Sequence, residues 1–110
     1  MTYKDIATMV ASCNLPYAYY QFPDGTEQAP PFICFFYDRL DGFFADGTNY
    51  APVVGLVVEL YTDNKDFTTE STVESVLNSS GLAFDKSEVY IDTEKMYQIT
   101  YTTEVVITGE

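Results

Sequence analysis

Phe32-Ile33-Cys34-Phe35-Phe36-Tyr37 runs for six residues without a charge, behind the stiff pair Pro30-Pro31 and ahead of Asp38. It is too short for a helix of ordinary length and rich in aromatic and β-branched residues, so it is predicted to be a strand buried on both faces of a sheet. Working outward, Val53 to Tyr61 is a second long strand, with Val54, Leu56, Val58 and Leu60 on one face and Glu59 and Tyr61 on the other. Between the two, Asp38 to Asn49 holds Asp41-Gly42 and Asp46-Gly47 with Phe43-Phe44 between them. Asp-Gly supplies the backbone angles of a tight reversal, so this segment reads as an extended hairpin arm.

Upstream, Thr2 and Asp5 have the spacing of a capping box, and Ile6, Met9, Val10 and Cys13 recur at i, i+3, i+4 and i+7. That predicts a helix over about residues 3–13, ended by Asn14 and Pro16. Tyr17 to Phe22 reads as a strand and Pro23-Asp24-Gly25-Thr26 as a turn. Downstream, the polar turn Thr62–Asp66 leads into a second helix with the narrow stripe Val73, Val76 and Leu77, stopped by Gly81. The last segment alternates: Tyr97, Ile99, Tyr101, Val105 and Ile107 face one way, and Gln98, Thr100, Thr102 and Glu104 the other, as in a half-buried antiparallel strand. The predicted class is α+β: a mainly antiparallel sheet of four to five strands with two helices, in the order α-β-β-β-α-β-β. The 110 residues suit one domain (1–110), which buries roughly 60% or more of the surface its unfolded chain exposes. No internal repeat or low-complexity segment interrupts it.

Seventeen acidic residues stand against five basic ones, a net charge of −12. Nucleic-acid affinity comes largely from Lys and Arg displacing counterions, so direct nucleic-acid binding is not expected, and an anionic membrane surface would repel the chain. The charge keeps a chain with 10 Tyr and 8 Phe in solution. The N-terminus has neither the basic start nor the apolar core of an export signal, and no stretch approaches a membrane span, so the expected location is the cytoplasm. In that reducing compartment Cys13 and Cys34 are expected as buried thiols.

The residues that carry chemistry are few. The chain has no His, which removes the commonest general base and the commonest zinc ligand, and its two cysteines lack zinc spacing. The Asp-Gly-Thr triplets at Asp24 and Asp46 have Phe22 and Phe44 where a phosphotransfer loop would carry an aspartate, so both are turns. Asp63 and Glu74 have the first-to-last spacing of a calcium loop, but Lys65 occupies a ligand position and Thr68 stands where a glycine is needed. No catalytic residue, metal site or cofactor is therefore expected. What remains is surface. Either the two helices cover both sheet faces, or part of the sheet or the Phe43-Phe44 arm is buried by another subunit.

Taken together, Leu15-Pro16-Tyr17-Ala18-Tyr19-Tyr20 after the first helix, Pro31 to Phe36, Phe43-Phe44-Ala45-Asp46, Val58 to Asp66 and Glu94-Lys95-Met96-Tyr97-Gln98 resemble a group of small phage and prophage proteins. These are encoded among the head–tail connector and tail genes of long-tailed phages, and the resemblance covers nearly the whole chain. It implies the fold of tail-terminator or head–tail joining proteins. The implied role is a ring, commonly of six subunits, that caps the tail tube and docks the head connector; the location would be the bacterial cytoplasm and then the virion. The implied partners are other copies of the chain, the tail-tube protein and head-connector proteins. The implied contact residues are in the arm: Phe43, Phe44, Asp46, Asn49 and Tyr50. Two other classes compete: an acidic phage-encoded inhibitor that mimics DNA to bind a host protein, and an enzyme using carboxylates with calcium or magnesium.

Overall fold

The computed structural model describes residues 1–23, 25, 28–45 and 49–109, and for 40–45 and 49–51 the description is of the backbone. The expected turn residues Asp24, Thr26 and Asp46-Gly47 lie outside the described residues.

Helix α1 spans Tyr3–Ala11 behind a reciprocal capping box: the Asp5 amide donates to Thr2 Oγ1 at 3.0 Å, and the Thr2 amide to Asp5 Oδ2 at 2.9 Å. It stops two residues short of the expected Cys13. Beyond Ser12 the amides reach back only three residues, Cys13 to Val10 and Asn14 to Ala11, both at 3.1 Å, and Asn14 takes a left-handed φ of 61°. Cys13 nevertheless stays buried on the same stripe as Ile6, Met9 and Val10.

Strand β1 is Tyr17–Tyr19, β2 Phe32–Ala45 and β3 Asn49–Thr62; helix α2 is Phe67–Ser79, followed by β4 Asp85–Ile91 and β5 Met96–Val106. The element order is the expected one. The five strands form one sheet in the order β1-β2-β3-β5-β4. Three of the four pairings are antiparallel, while β1 runs parallel to β2, so the sheet is mixed. The first strand also ends earlier than Phe22: Tyr20 turns to φ 70° and its amide bonds the Phe35 carbonyl at 2.8 Å, which leads the chain off the ladder.

Strand register builds the core. Ile33 lies opposite Leu60 and Leu60 opposite Ile99; Phe35 lies opposite Val58 and Val58 opposite Tyr101. These rows occupy one face, and Ile6, Met9, Val10 and Cys13 of the first helical segment join Val73 and Leu77 of α2 in the same buried cluster upon it. Both helices therefore cover the same side of the sheet. Fully burying one such aliphatic side chain contributes about 2 kcal/mol. Asp66 caps α2, accepting from the Thr69 amide at 3.0 Å, and Gly81, at φ 77°, ends it as expected while Leu82 bonds back to Leu77 at 3.1 Å.

The β2–β3 hairpin outruns its neighbours. Pairing of β3 with β5 starts at Val53–Val106, and β1 reaches only to Phe35, whereas β2 and β3 stay paired out to Ala45–Asn49. Residues 43–45 and 49–51 form a two-stranded ribbon beyond the sheet, the expected arm. The arm starts near a bulge: Tyr37 pairs with Leu56 and Arg39 with Gly55, leaving Asp38 unpaired between them.

Candidate functional site: an open sheet face and a two-stranded arm

With both helices on one side, no helix among the described residues lies over the other face of the sheet. It carries Phe32, Cys34 and Phe36 from β2, Val57, Glu59 and Tyr61 from β3, and Gln98, Thr100 and Thr102 from β5. Of the two alternatives left open by the sequence, full cover by the helices is not what the fold adopts. Phe32 and Phe36 are half-buried, and Cys34 and Val57 are buried.

Aromatic side chains of the chain itself account for that burial. Beyond β1, the turn at Tyr20 brings two rings onto this face. Phe22 meets Phe32 edge-on at 5.5 Å between centroids, Phe32 stacks on Tyr61 at 4.8 Å, and Tyr20 stacks on Phe36 at 5.4 Å. Aromatic pairs at these separations gain about 1 kcal/mol beyond the area they bury. Tyr20 itself remains 65% exposed. The layer is thin, with Tyr20 on its outer side.

Beside it the face turns polar. Glu59 accepts from the Tyr61 hydroxyl at 2.9 Å and from Gln98 Nε2 at 2.8 Å. Burial, with the Glu59 charge behind it, pushes the Cys34 thiol up to about 11, so it is a neutral, inert side chain. Cys13 is pushed upward by burial alone, and both cysteines are free thiols, as expected.

The opposite side of the molecule holds an ion network absent from the sequence-level reading. Glu70 on α2 is only 1% exposed and receives Lys65 Nζ at 2.6 Å, while Lys86 Nζ approaches its other oxygen to 2.9 Å, a charge contact without hydrogen-bond alignment. Lys65 also pairs with Glu88, and Lys86 with Glu74 at 2.7 Å; Glu74 accepts from the Tyr101 hydroxyl at 2.8 Å. The network bolts α2 to the edge strand β4. Burial raises the Glu70 carboxyl, but the two lysines outweigh it and hold it below its ordinary value. Each carboxylate has a cation or a hydroxyl on it. Its traces in the sequence were the Glu70/Glu74 pair one helical turn apart and Lys86/Glu88 two apart on a strand.

Asp63 lies in an exposed turn and Glu74 in this network, so the two ends of the calcium-like spacing are not brought to one site. Among the described residues, no three acidic, Cys or His side chains gather as a metal site, and no helix is long and apolar enough to cross a membrane. The enclosed space between helices and sheet, lined by Met9, Cys13, Val58 and Leu77, is about 10 Å³, too small for a ligand.

Of the sequence-predicted contact residues, Phe43, Phe44, Asn49 and Tyr50 come together at the end of the arm. Phe44 pairs with Tyr50, Ala45 with Asn49, and Phe43 with Ala51. Asp46 lies outside the described residues. The aromatic layer of Tyr20, Phe22 and Phe32 was not among those candidates, because nothing local indicates that Tyr20 turns back over the sheet.

No family model matches the chain, and no curated protein matches it. A solved structure does: a chain of the virion of native gene transfer agent (GTA) particle superposes with a TM-score of 0.59 at 18% identity, covering 94% of this chain and 86% of that one. What the two chains share is the fold.

Proposed function

We propose that this chain is a structural subunit of a phage or prophage particle: a tail-terminator or head–tail joining protein that forms a ring, caps the tail tube and docks the head connector. The observation that carries the reading is the likeness, over 94% of the chain, to a chain of a virion. The sequence resemblance to tail and connector proteins points the same way.

A ring needs a heterologous interface, one patch meeting a different patch on the next copy. The arm around Phe43, Phe44, Asp46, Asn49 and Tyr50 is one candidate patch, and the aromatic layer on the open face is another. A two-stranded ribbon is marginal by itself in water, which favours an arm that finishes folding against a neighbour. In this reading the chain is not an enzyme and needs no cofactor. Its net charge of −12 would keep a ring's bore from binding DNA, since no phosphates would be neutralised. The protein would be made in the host cytoplasm and end in the virion. The DNA-mimic alternative gains less support, because Glu70, Glu74, Glu88 and Glu104 are all paired with Lys or Arg instead of forming a bare acidic stripe.

The test is genetic. Inactivating the gene in the phage or prophage that encodes it should leave heads and tails unjoined, or tails of irregular length, by electron microscopy. Intact, infectious particles at normal titre would overturn the proposal.

A further inference from the structure

The sheet ends in two unlike edges. On one side β4 pairs with β5 alone, over Asp85 to Ile91, and contains neither a proline nor a bulge. On the other side β1 pairs with β2 alone, over Tyr17 to Tyr19. Large apolar side chains are exposed at both: Tyr17, Tyr19 and Tyr20 at the first strand, Val89 and Tyr90 at the fourth.

Edge strands are commonly guarded by charges, prolines or bulges. In mid-β4 the charged side chains are drawn back onto the protein's own network, Lys86 by Glu70 and Glu74, and Glu88 by Lys65. At the other edge, residues 14–23 carry no charge. Two copies of a chain of net charge −12 repel each other over most of their surface, so an uncharged edge and a neutralised one are where they can meet.

The backbone agrees. At β1 the Ile33 amide donates to the Pro16 carbonyl at 2.9 Å and the Tyr20 amide to the Phe35 carbonyl at 2.8 Å. Even-numbered residues therefore serve β2, and the alternation of a ladder turns the backbone groups of Tyr17 and Tyr19 outward. The β4–β5 hairpin closes on Ile91 and Met96, with the Glu94 amide on the Ile91 carbonyl at 3.2 Å inside the loop. That closing pair is the bonded kind, so Glu88 and Tyr90 turn theirs outward. Tyr17 and Tyr19 lie opposite Ile33 and Phe35, and Glu88 and Tyr90 opposite Ile99 and Tyr97, all on the helix side of the sheet. The outward-turned residues thus share one face at both edges, the condition for one sheet to continue into another. Strand direction fits as well: β1 runs with β2 and β4 against it, so a second copy laid on in the same sense presents an antiparallel partner.

We propose that copies of this chain join edge to edge, β4 of one pairing antiparallel with β1 of the next, with Val89 opposite Ala18 and Tyr90 opposite Tyr17. Val89 then covers the small Ala18 on the open face, and the two tyrosines meet on the helix face. The Tyr19 carbonyl is already taken by the Gln21 amide at 2.8 Å, so the amides of Tyr17, Tyr19 and Tyr90 are the ones that gain partners. Each copy uses both edges, which makes the contact heterologous and repeatable. A ladder this short does not hold a complex alone and works beside the arm. The inference rests on the assembly reading for its partner, a second copy.

In this register Ala18 and Val89 form a non-hydrogen-bonded pair, with Cα atoms about 4.5 Å apart and within disulfide reach. Ala18→Cys and Val89→Cys are made in separate chains, each with Cys34→Ala because Cys34 lies beside Ala18, then mixed and oxidised with and without the tail-tube protein. The expected product is a covalent dimer of the two variants, about tenfold more abundant than with Ser87→Cys in place of Val89→Cys, a shift of roughly 7 Å along the strand. In the unsubstituted protein, deuterium exchange at the Tyr17, Tyr19 and Tyr90 amides should slow about tenfold or more on assembly, while Val89, bonded to β5, stays unchanged. Multimers by light scattering with neither cross-link nor slowed exchange would overturn this contact and leave the assembly reading standing. Monomers without cross-link would overturn both, and equal cross-linking through Ser87→Cys would overturn the register.

Discussion

The carboxylate of Asp38 occupies the space that a side chain on Gly55 would need. A Cβ at residue 55 would overlap Asp38 Oδ1 and come within 3.1 Å of Arg39 Cγ. The bulge leaves two residues, Asp38 and Arg39, opposite the single Gly55, and the missing side chain at 55 is what lets Asp38 fold in over β3. The ribbon that leads to the arm begins further along, past the last β3–β5 pair at Val53–Val106.

Gly55→Ala therefore forces Asp38 to rotate and Arg39 to shift. Since the obstructing atom is the end of a side chain, the cost should be modest, about 1 kcal/mol by denaturant unfolding. Asp38→Ala in the same chain should recover most of it. A double-mutant cycle measures the coupling, and additive effects would mean that the two residues do not compete for that space.

Glu70 should shape the acid limb of stability. Its carboxyl titrates below the ordinary 4.5 in the folded protein, so the unfolded chain takes up protons first as pH falls. The stabilisation is complete above that ordinary value and is lost as pH drops through the lowered one. Asp5 and Asp66, lowered by their bonds to Thr2 and Thr69, act in the same direction. Glu70→Gln should cost about 2 kcal/mol at neutral pH, less than a deeply buried pair because both lysines keep a second carboxylate, and should flatten the fall in melting temperature on acidification. An unchanged acid limb would remove Glu70 from the account.

Cys34 should resist alkylation in the native protein at neutral pH and react fully once the protein is unfolded. Burial and the nearby Glu59 keep it a thiol, and the Tyr20–Phe36 and Phe22–Phe32 pairs lie over its face. Rapid native labelling would mean that this aromatic layer opens in solution.

How much of this could be read beforehand depends on how local each signal is. The Thr2/Asp5 cap, the alternation of β5, the Gly81 stop and the long hairpin all follow from residues near one another in the chain, and each appears where expected, α1 and β1 being shorter. The placement of both helices on one face does not follow from either stripe, because a stripe says that a helix is covered and not by which side of the sheet. The early end of β1 turns on Tyr20 accepting a left-handed backbone, a conformation for which Tyr gives no sequence cue. Glu70 is the sharpest case. A carboxylate on a helix reads as solvated, and its burial depends on Lys65 and Lys86 arriving from a loop and from β4. Of the candidate site, the arm lies between the two long strands as expected, but its Asp-Gly pairs do not mark the reversal within the described residues, since Asp41-Gly42 lies inside β2 opposite Val53 and Pro52. The aromatic layer required the three-dimensional return of Tyr20 and Phe22.

Substitutions in the two proposed contact patches should separate assembly from folding. Phe43→Ser and Phe44→Ser lie on the ribbon outside the sheet and should change the melting free energy by less than about 1 kcal/mol while abolishing association. Phe36→Ser, on the open face and stacked with Tyr20, should cost about 1–2 kcal/mol of stability and also weaken association. Association that survives all three would place the interface elsewhere.

The most direct measurement for the central claim is the solution mass of the purified protein by light scattering, alone and with the tail-tube protein encoded in the same genome. The assembly account predicts a ring-sized multiple of the monomer mass in at least one of the two conditions, lost in Phe43→Ser/Phe44→Ser. A persistent monomer that leaves the tail-tube protein untouched would contradict it.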